Sequence, residues 1–314
     1  MSAAARANRQ RGAALLVAMV ILTLVATLAA GMVWQQWRAV EVEAAERART
    51  QAAWILTGAH DWARLILRVD SRTPGVDHLG EPWAVPLAEA RLSTFLAAER
   101  SNTADEGPEA FLSGSIADAQ ARYNLRNLVD QEGKLDPNQL RVLERLCDSA
   151  GLPSGVAARL GDGLAEAWAM TDGNAPLPPA RLADLRWLGL DAASIERLAP
   201  WVVLLPVPTP VNLNTAPREV IAAVVEGLDA GSAERLVQAR ERQPFRSLEQ
   251  AKAVLGADSE VKFEGVAVAT NFFEVRGRVR LGERVLEERS LVRRANRNVV
   301  TLWRERVSLD ARQP

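Results

Sequence analysis

The sequence predicts an α/β protein of the α+β kind: a long N-terminal helix packed on an antiparallel sheet, with a large α-helical region inserted in the chain. Three observations predict it. Gly12–Trp37 is an uncharged run of Leu, Val, Ile, Met, Ala and a few small polar residues, without proline. Beyond it, apolar residues recur at three- and four-residue steps as far as Ile66. Near the C-terminus Phe273, Val275, Val279 and Leu281 alternate with Glu274, Arg276, Arg278 and Arg280, the period-two pattern of a half-buried strand.

At about 1.5 Å per residue the first run reaches ~39 Å as a helix, enough to cross the roughly 30 Å hydrocarbon of a bilayer. Thr23 and Thr27 can return their hydroxyls to carbonyls one turn earlier. Arg6, Arg9 and Arg11 precede the run and Trp34 and Trp37 close it, so residues 13–37 are expected to span the membrane with the N-terminus cytoplasmic. A secretory signal peptide fits the flanking charge, but its apolar region is usually shorter, which favours a retained helix. Val42, Ala45, Ala52, Leu56, Ala59, Ala63 and Ile66 then make an amphipathic second half, so one helix is expected from about Ala13 to Val69, ending at Asp70-Ser71-Arg72-Thr73-Pro74-Gly75.

Strands are expected over Ser115–Leu125, over Phe273–Leu281 with a Gly282-Glu283 turn into Val285–Val292, and at the sheet edge over Val299–Val307. The arginines of this hairpin interleave with Glu274, Glu283, Glu287 and Glu288, which predicts cross-strand ion pairs rather than a nucleic-acid surface. Between the strands, Pro137–Ala150 reads as a helix, and a second helical group runs from Leu177 through Leu185, Leu188 and Leu198. The prolines of Pro206–Pro217 force an extended entry, after which Asn214 or Thr215 is placed to cap a helix carrying Pro217 and Glu219. Two further helices come next, one through Leu236 and Val237 and one opening at Ser247.

Of the 314 residues 48% are hydrophobic and 25% charged, an ordinary globular balance, and 38 basic against 39 acidic residues give no pull on a polyanion. Cys147 is the single cysteine, which excludes an internal disulfide and a thiolate zinc cluster. His60, on the helix, and His78, in a loop, read as surface residues, and most of the nine tryptophans as core and interface fillers. Two histidines, no phosphate-cradling glycine loop and no reason for carboxylates to pair leave an enzyme as the least supported class.

The Arg11-Gly12 junction before a long apolar helix resembles a type IV prepilin leader. The resemblance implies cleavage by a prepilin peptidase between Gly12 and Ala13, with methylation of the new amine. Most of that family carries glutamate as the fifth mature residue, where it neutralises the amine of the subunit ahead; this chain has Val17. An unpaired charge in hydrocarbon costs ~3 kcal/mol or more, so a subunit without that acid is suited to the first place in a filament.

A second resemblance is carried by Asn212-Leu213-Asn214-Thr215-Ala216, which is similar to helix-hairpin-helix modules, including those of a membrane-anchored periplasmic DNA receptor of competence-type uptake. DNA-binding versions use a glycine–hydrophobe–glycine turn to offer backbone N–H groups to phosphate. Here the turn reads Gly227-Leu228-Asp229, and over Asn212–Gly256 six basic residues meet six acidic ones. No nucleic-acid partner is therefore expected, and the DNA receptor is the alternative reading.

Taken in order, the leader, Ala121–Val129, Pro208–Pro217, Pro244-Phe245-Arg246-Ser247 and the hairpin after Asn271-Phe272-Phe273 resemble the minor pseudopilin K family of the type II secretion (general secretion) pathway. That family implies a pilin-like body interrupted by a SAM- or helix-hairpin-helix-like α-domain. It implies a place at the tip of the pseudopilus with minor pseudopilins I and J, in the inner membrane, with secretin or secreted cargo as further contacts. The implied division is leader 1–12, membrane half of the helix 13–37, first part of the pilin-like body 38–129, inserted α-domain 130–262 and C-terminal strands 263–314. The family is also associated with calcium held by an Asp-rich segment. The corresponding Leu160–Asn174 keeps only Asp162, Glu166, Asp172 and Asn174, a thin set for an ion that takes six to eight oxygens, so a solvated loop is expected and calcium is the second reading.

Overall fold

The computed structural model describes residues 3–72, 75–92, 109–130, 132–169, 175–256, 261–282, 284–296 and 298–310, with side chains described from 13 to 307. The chain divides into two units, Met1–Ile55 and Leu56–Pro314. The first is helical throughout its described length and belongs to α1 (Ala3–Asp70). The Thr23 and Thr27 hydroxyls donate to the Val20 and Leu24 carbonyls at 2.9 Å, as the sequence leads one to expect. Leu15 to Val33 are exposed along it, and Arg38 lies 4.7 Å over the Trp34 ring.

The second unit contains a five-stranded antiparallel sheet in the order β1 (Leu87–Arg91), β2 (Ala110–Asp118), β7 (Phe272–Leu281), β8 (Arg284–Ala295), β9 (Asn298–Asp310). Strands β7, β8 and β9 are the expected hairpin and edge strand, each slightly longer than the periodicity suggests. The C-terminal turns of α1 lie against one face of this sheet. Leu56, His60, Ala63 and Leu67 are buried at four- and three-residue steps, and Ala63 and Leu67 share a core with Phe273, Val275, Val292 and Val299. Trp83 closes that core with an edge-to-face contact to Phe273 at 5.2 Å. Cross-strand partners Gly114 and Gly277 permit two close approaches: a Cβ on Gly277 would stand 3.1 Å from the Leu56 side chain of the helix, and one on Gly114 2.8 Å from the Arg276 carbonyl oxygen of the adjacent strand.

Neighbouring strands β2 and β7 pair without interruption from Ala110↔Leu281 to Asp118↔Phe273, yet the described residues from Ala119 to Asn271 form no strand of this sheet. The helical region is thus an insertion into one end of a two-strand pairing. It contains α2 (Pro137–Ser149), α3 (Val156–Ala169), α4 (Ala192–Leu198), α5 (Arg218–Val224), α6 (Ala230–Arg242) and α7 (Leu248–Leu255). Asp136 caps α2 through the Asn138 and Gln139 N–H groups, and Asp229 caps α6 through Ser232 N–H at 2.7 Å. Their shared core runs from Tyr123, Leu125 and Leu128 through Leu143, Leu160, Leu198 and Ile221 to Leu236 and Phe245.

Three expectations are corrected. The strand expected over Ser115–Leu125 starts earlier, at Ala110, and stops at Asp118, whose carboxylate accepts the Gln120 N–H at 2.7 Å and turns the chain into a 3-10 turn. Past that turn, β3 (Tyr123–Asn124) makes a two-residue parallel pairing with β4 (Val202–Val203). Neither Asn214 nor Thr215 caps α5; Pro217 holds the N-cap without a side-chain bond, because both polar side chains are used inside the protein. The stretch read as a solvated loop from Leu160 is the helix α3 as far as Ala169, since Leu160, Leu164 and Ala167 reach the core on one face.

Where the insertion leaves the sheet, Asp118 is fully enclosed. Its carboxylate accepts from Asn212 Nδ2 (2.9 Å), Thr215 Oγ1 (2.6 Å) and Gln120 N (2.7 Å). Asn212 lies in β5 (Val211–Asn212), which pairs in parallel with β6 (Val266–Ala267), and its amide also donates to the Asp77 carbonyl at 3.0 Å. Removing the carboxylate strands three donors in a site closed to water, each costing on the order of 1–3 kcal/mol. Asp118→Ala is therefore expected to lower the stability of the full chain by about 3 kcal/mol or more, read from the urea midpoint. A loss below about 0.5 kcal/mol would mean that the joint does not hold the insertion in place.

Candidate functional site

The residues the sequence marks for assembly fall in two places. Gly12, Ala13 and Val17 lie on α1 in the first unit, and Val17 is 58% exposed. Among the described residues, α1 is the one helix long and apolar enough to span a membrane.

The second place is the root of the insertion, where two of the motifs meet. Asn124 donates to the Val207 carbonyl (2.8 Å) and the Thr209 hydroxyl (3.1 Å) and accepts from Leu205 N. Asn127 and Thr209 exchange two bonds at 2.9 Å, and Gln120 donates to the Pro210 carbonyl while accepting from Asn271 N. Asn214 brackets Phe245, donating to its carbonyl at 3.0 Å and accepting its N–H at 2.9 Å. The asparagines of Ala121–Val129 and Pro208–Pro217 therefore satisfy the backbone of irregular buried chain, which would otherwise be left without partners. The helix-hairpin-helix-like motif faces inward. At its turn, Gly227 takes φ +80° and Asp229 fills the N-terminus of α6, so the place where a phosphate would sit already holds a carboxylate.

A charged cluster borders this root. Arg294 pairs with Asp70, with Asp77 at 2.5 Å and with the Thr270 carbonyl at 2.9 Å. Glu81 completes a trio of carboxylates with Asp70 and Asp77 and accepts from Trp83 Nε1 at 2.8 Å. One guanidinium pairs with two of the three acids, and burial with the neighbouring Glu81 pushes Asp70 up to about 6, against the pull of Arg294. Burial raises Asp77 as well, opposed by the Thr270 N–H and Arg294. The guanidinium already stands where a cation would, so the trio is an ion-pair cluster. The calcium candidates are elsewhere: Asp162 and Glu166 are exposed one turn apart on α3, and Asp172 and Asn174 lie outside the described residues.

The sequence named Glu287 and Glu288 as ion-pair partners but gave no sign that both are buried, and it placed His60 on the surface. Glu287, on the face away from α1, lies between Arg276 and Arg289, each at 2.6 Å; both arginines hold its carboxyl below the usual range although burial pushes the other way. Glu288, on the α1 side, takes Arg306 at 2.5 Å. Arg276–Glu287 between β7 and β8 and Arg306–Glu288 between β8 and β9 are the cross-strand pairs expected of this region. Arg289 reaches Glu287 within β8, Glu274 takes Arg122 at 2.7 Å and Arg280 takes Glu89 from outside the hairpin, and Glu283 lies outside the described residues. His60 is not a surface residue. It is buried between Ser290 and Thr301, whose hydroxyls meet its two ring nitrogens at 2.9 Å, and burial with the Arg304 charge depresses its basicity. The alternating sheet pattern hints at Ser290, and His60 stands four residues after Leu56 and three before Ala63, on the stripe the helix periodicity marks as inward. Burial pushes the Cys147 thiol up to about 12, which leaves it unreactive. Trp83 alone among the tryptophans is fully enclosed. Trp34, Trp37, Trp54, Trp62 and Trp187 are exposed, so they are not core fillers.

A helix lying on an antiparallel sheet, preceded by an apolar run long enough to span a membrane, is the architecture of a pilin-like subunit. The family model for "Type II secretion system (T2SS), protein K" matches residues 121–207 and 211–271. Type II secretion system protein K of Pseudomonas aeruginosa is 32% identical over 303 residues, covering 88% of this chain and 86% of its own length. Its counterparts in Pectobacterium carotovorum and Klebsiella pneumoniae are 29% and 28% identical over 95% and 92% of this chain. A chain of the solved GspK-GspI-GspJ complex of enterotoxigenic Escherichia coli shares the fold, with a TM-score of 0.61 over 84% of this chain and 98% of that one at 19% identity. The chain belongs to the type II secretion system protein K family, the minor pseudopilins, and the DNA-receptor alternative finds no support.

The acid trio predicts a pH effect of definite sign. Asp70 titrates near 6 in the folded chain against 3.8 for a free carboxyl. Its contribution is therefore full below 3.8 and is lost as pH rises through 6. Asp70→Asn is expected to raise stability at pH 7.5 by ~1 kcal/mol, discounted for partial exposure, and to leave it nearly unchanged at pH 4. Urea midpoints at the two pH values check it; a loss at pH 7.5 would show that the Arg294 pair outweighs the crowding of acids.

Proposed function

We propose that this chain is the tip subunit of the type II secretion pseudopilus, where it nucleates or caps assembly with minor pseudopilins I and J for export of folded proteins across the outer membrane. The observation that carries the reading is Val17, five residues after Gly12, at the position where a repeating subunit needs an acid for the amine of the subunit ahead. A subunit beneath can still offer its glutamate to the Ala13 amine. The bulk of the helical insertion supports the same place, because lateral packing along a shaft leaves little room beside the helix, and a tip needs no such room. Partnership with I and J is supported by the fold shared with a chain of the GspK-GspI-GspJ complex. Secretin or secreted cargo are the further contacts this position implies.

The chain is read as leader 1–12, membrane half 13–37, pilin-like body 38–129, inserted domain 130–262 and C-terminal strands 263–314. It crosses the inner membrane once, N-terminus cytoplasmic and body periplasmic, as Arg6, Arg9 and Arg11 favour. It acts through assembly and carries out no chemistry of its own. Calcium held by Asp162, Glu166, Asp172 and Asn174 is a second reading, supported by the two exposed carboxylates aligned on α3.

Processing tests the reading. The membrane form is expected to begin at Ala13, with a methylated amine, and Gly12→Leu to leave the precursor uncut by the prepilin peptidase. Intact mass of the purified membrane form decides it. A mature chain beginning after the apolar helix would mean an ordinary signal peptide and no filament anchor.

A further inference from the structure

On the face of the sheet away from α1, a cleft of about 430 Å³ lies between the insertion and strands β7, β8 and β9. Arg122 and Arg181 line it from the insertion, and Glu274, Arg276, Arg289 and Glu305 from the sheet. Arg122 pairs with Glu274 and Arg181 with Glu305, both at 2.7 Å. Arg276 and Arg289 instead both pair with one acid, Glu287, whose side chain lies beneath them at 1% exposure. Their own side chains are 53% and 56% exposed. Four guanidinium groups are thus met by three carboxylates.

That surplus decides what suits the cleft. Arg276 and Arg289 are direct cross-strand partners, a position where like charges repel. Glu287 relieves the repulsion from below, taking Nη2–H of Arg276 and Nε–H of Arg289 and leaving the other N–H groups of both to the open side. Arg278, directly across from Glu287, meets no carboxylate among the described residues and adds to the excess. A second carboxylate entering from the cleft can accept from both arginines at once and restore the balance. A polyanion fits poorly, because Glu274 and Glu305 stand in the walls. Exposed ion pairs alone contribute little, so a free acid gains little here. The lining also includes Leu182, Leu204 and Trp303, which favour a carboxylate carried beside apolar side chains on a polypeptide.

We propose that this cleft docks an acidic side chain of a protein partner, flanked there by apolar residues, with its carboxylate held by Arg276 and Arg289 together. The test uses the full chain in lipid nanodiscs, following the Nε–H resonances of the two arginines. The probes are the blocked peptide leucyl-glutamyl-leucine amide and its glutaminyl counterpart, which has the same shape without the charge. The glutamyl peptide is expected to shift both resonances saturably and to bind about tenfold tighter than the glutaminyl one. Equal affinities, or no saturable shift, would overturn the site.

Substitutions separate docking from a merely structural ion-pair network. Arg276→Gln and Arg289→Gln are each expected to bring the glutamyl peptide down to the affinity of the glutaminyl one. Glu287→Gln removes the internal competitor for the same guanidinium groups, so it is expected to tighten the glutamyl peptide severalfold and leave the glutaminyl peptide unchanged. A network that only holds the sheet together would weaken both peptides in all three variants, and that result would overturn the proposal. Acetate that saturates the same resonances at the peptide's concentration would assign the cleft to free acids, and inorganic phosphate binding more tightly than the peptide would assign it to small anions. Either outcome would overturn the protein partner.

Discussion

The Asp118 carboxylate, at the end of β2, receives donors from Asn212, Thr215 and Gln120, and most of the second unit depends on that convergence. An insertion leaving between two paired strands has to exit and return at nearly one point, since Asp118 and Phe273 are themselves cross-strand partners. Chain crossing there cannot continue the sheet ladder, so its N–H and C=O groups need other partners. Asparagine supplies both a donor and an acceptor on a short stem, and Asn124, Asn127, Asn212 and Asn214 all serve this purpose. Burial pushes Asp118 up, but the hydrogen bonds to its carboxylate pull the other way. The outcome is a fixed angle between insertion and sheet, reinforced on the outer sheet face by Val203 and Leu205 against Phe272 and Leu291.

The same economy of buried charge recurs across the sheet. Glu287 and Glu288 are adjacent on β8 and face opposite sides, and each is enclosed by two arginines from neighbouring strand positions. Such pairs contribute little net stability after desolvation, but losing one partner leaves an uncompensated buried charge. They therefore act mainly on register, because a one-residue slip would carry each glutamate to the wrong face.

Much of this was legible in the residues. The apolar run and its amphipathic continuation gave α1 nearly to its last turn, and alternation gave β7, β8 and β9, because one side of each element is apolar and the other is not. The insertion's helices were legible where a capping residue precedes a periodic run, as at Asp136 and Ser247. The root of the insertion was not, since Asn212, Asn214 and Thr215 look the same in sequence whether they cap a helix, bind phosphate or satisfy buried backbone. Short β1 (Leu87–Arg91) has little apolar alternation to reveal it. The burial of His60 and of Glu288 escaped for a related reason: a polar residue on an inward stripe is taken for a surface one until its partners, 230 or more residues away for His60, are in place.

In the proposed reading, the tip position rests on an anchor without the pairing acid and on the insertion mounted at the end of β2. The missing acid leaves nothing to offer a subunit above, and in this reading the insertion by itself already takes that subunit's room. Gold labels on the helical insertion, viewed by electron microscopy on overgrown pseudopili, test this most directly. The account predicts label at one end, about one per filament, in wild type and in Val17→Glu alike, because the insertion would still exclude a subunit above. Label spaced regularly along the shaft would contradict it.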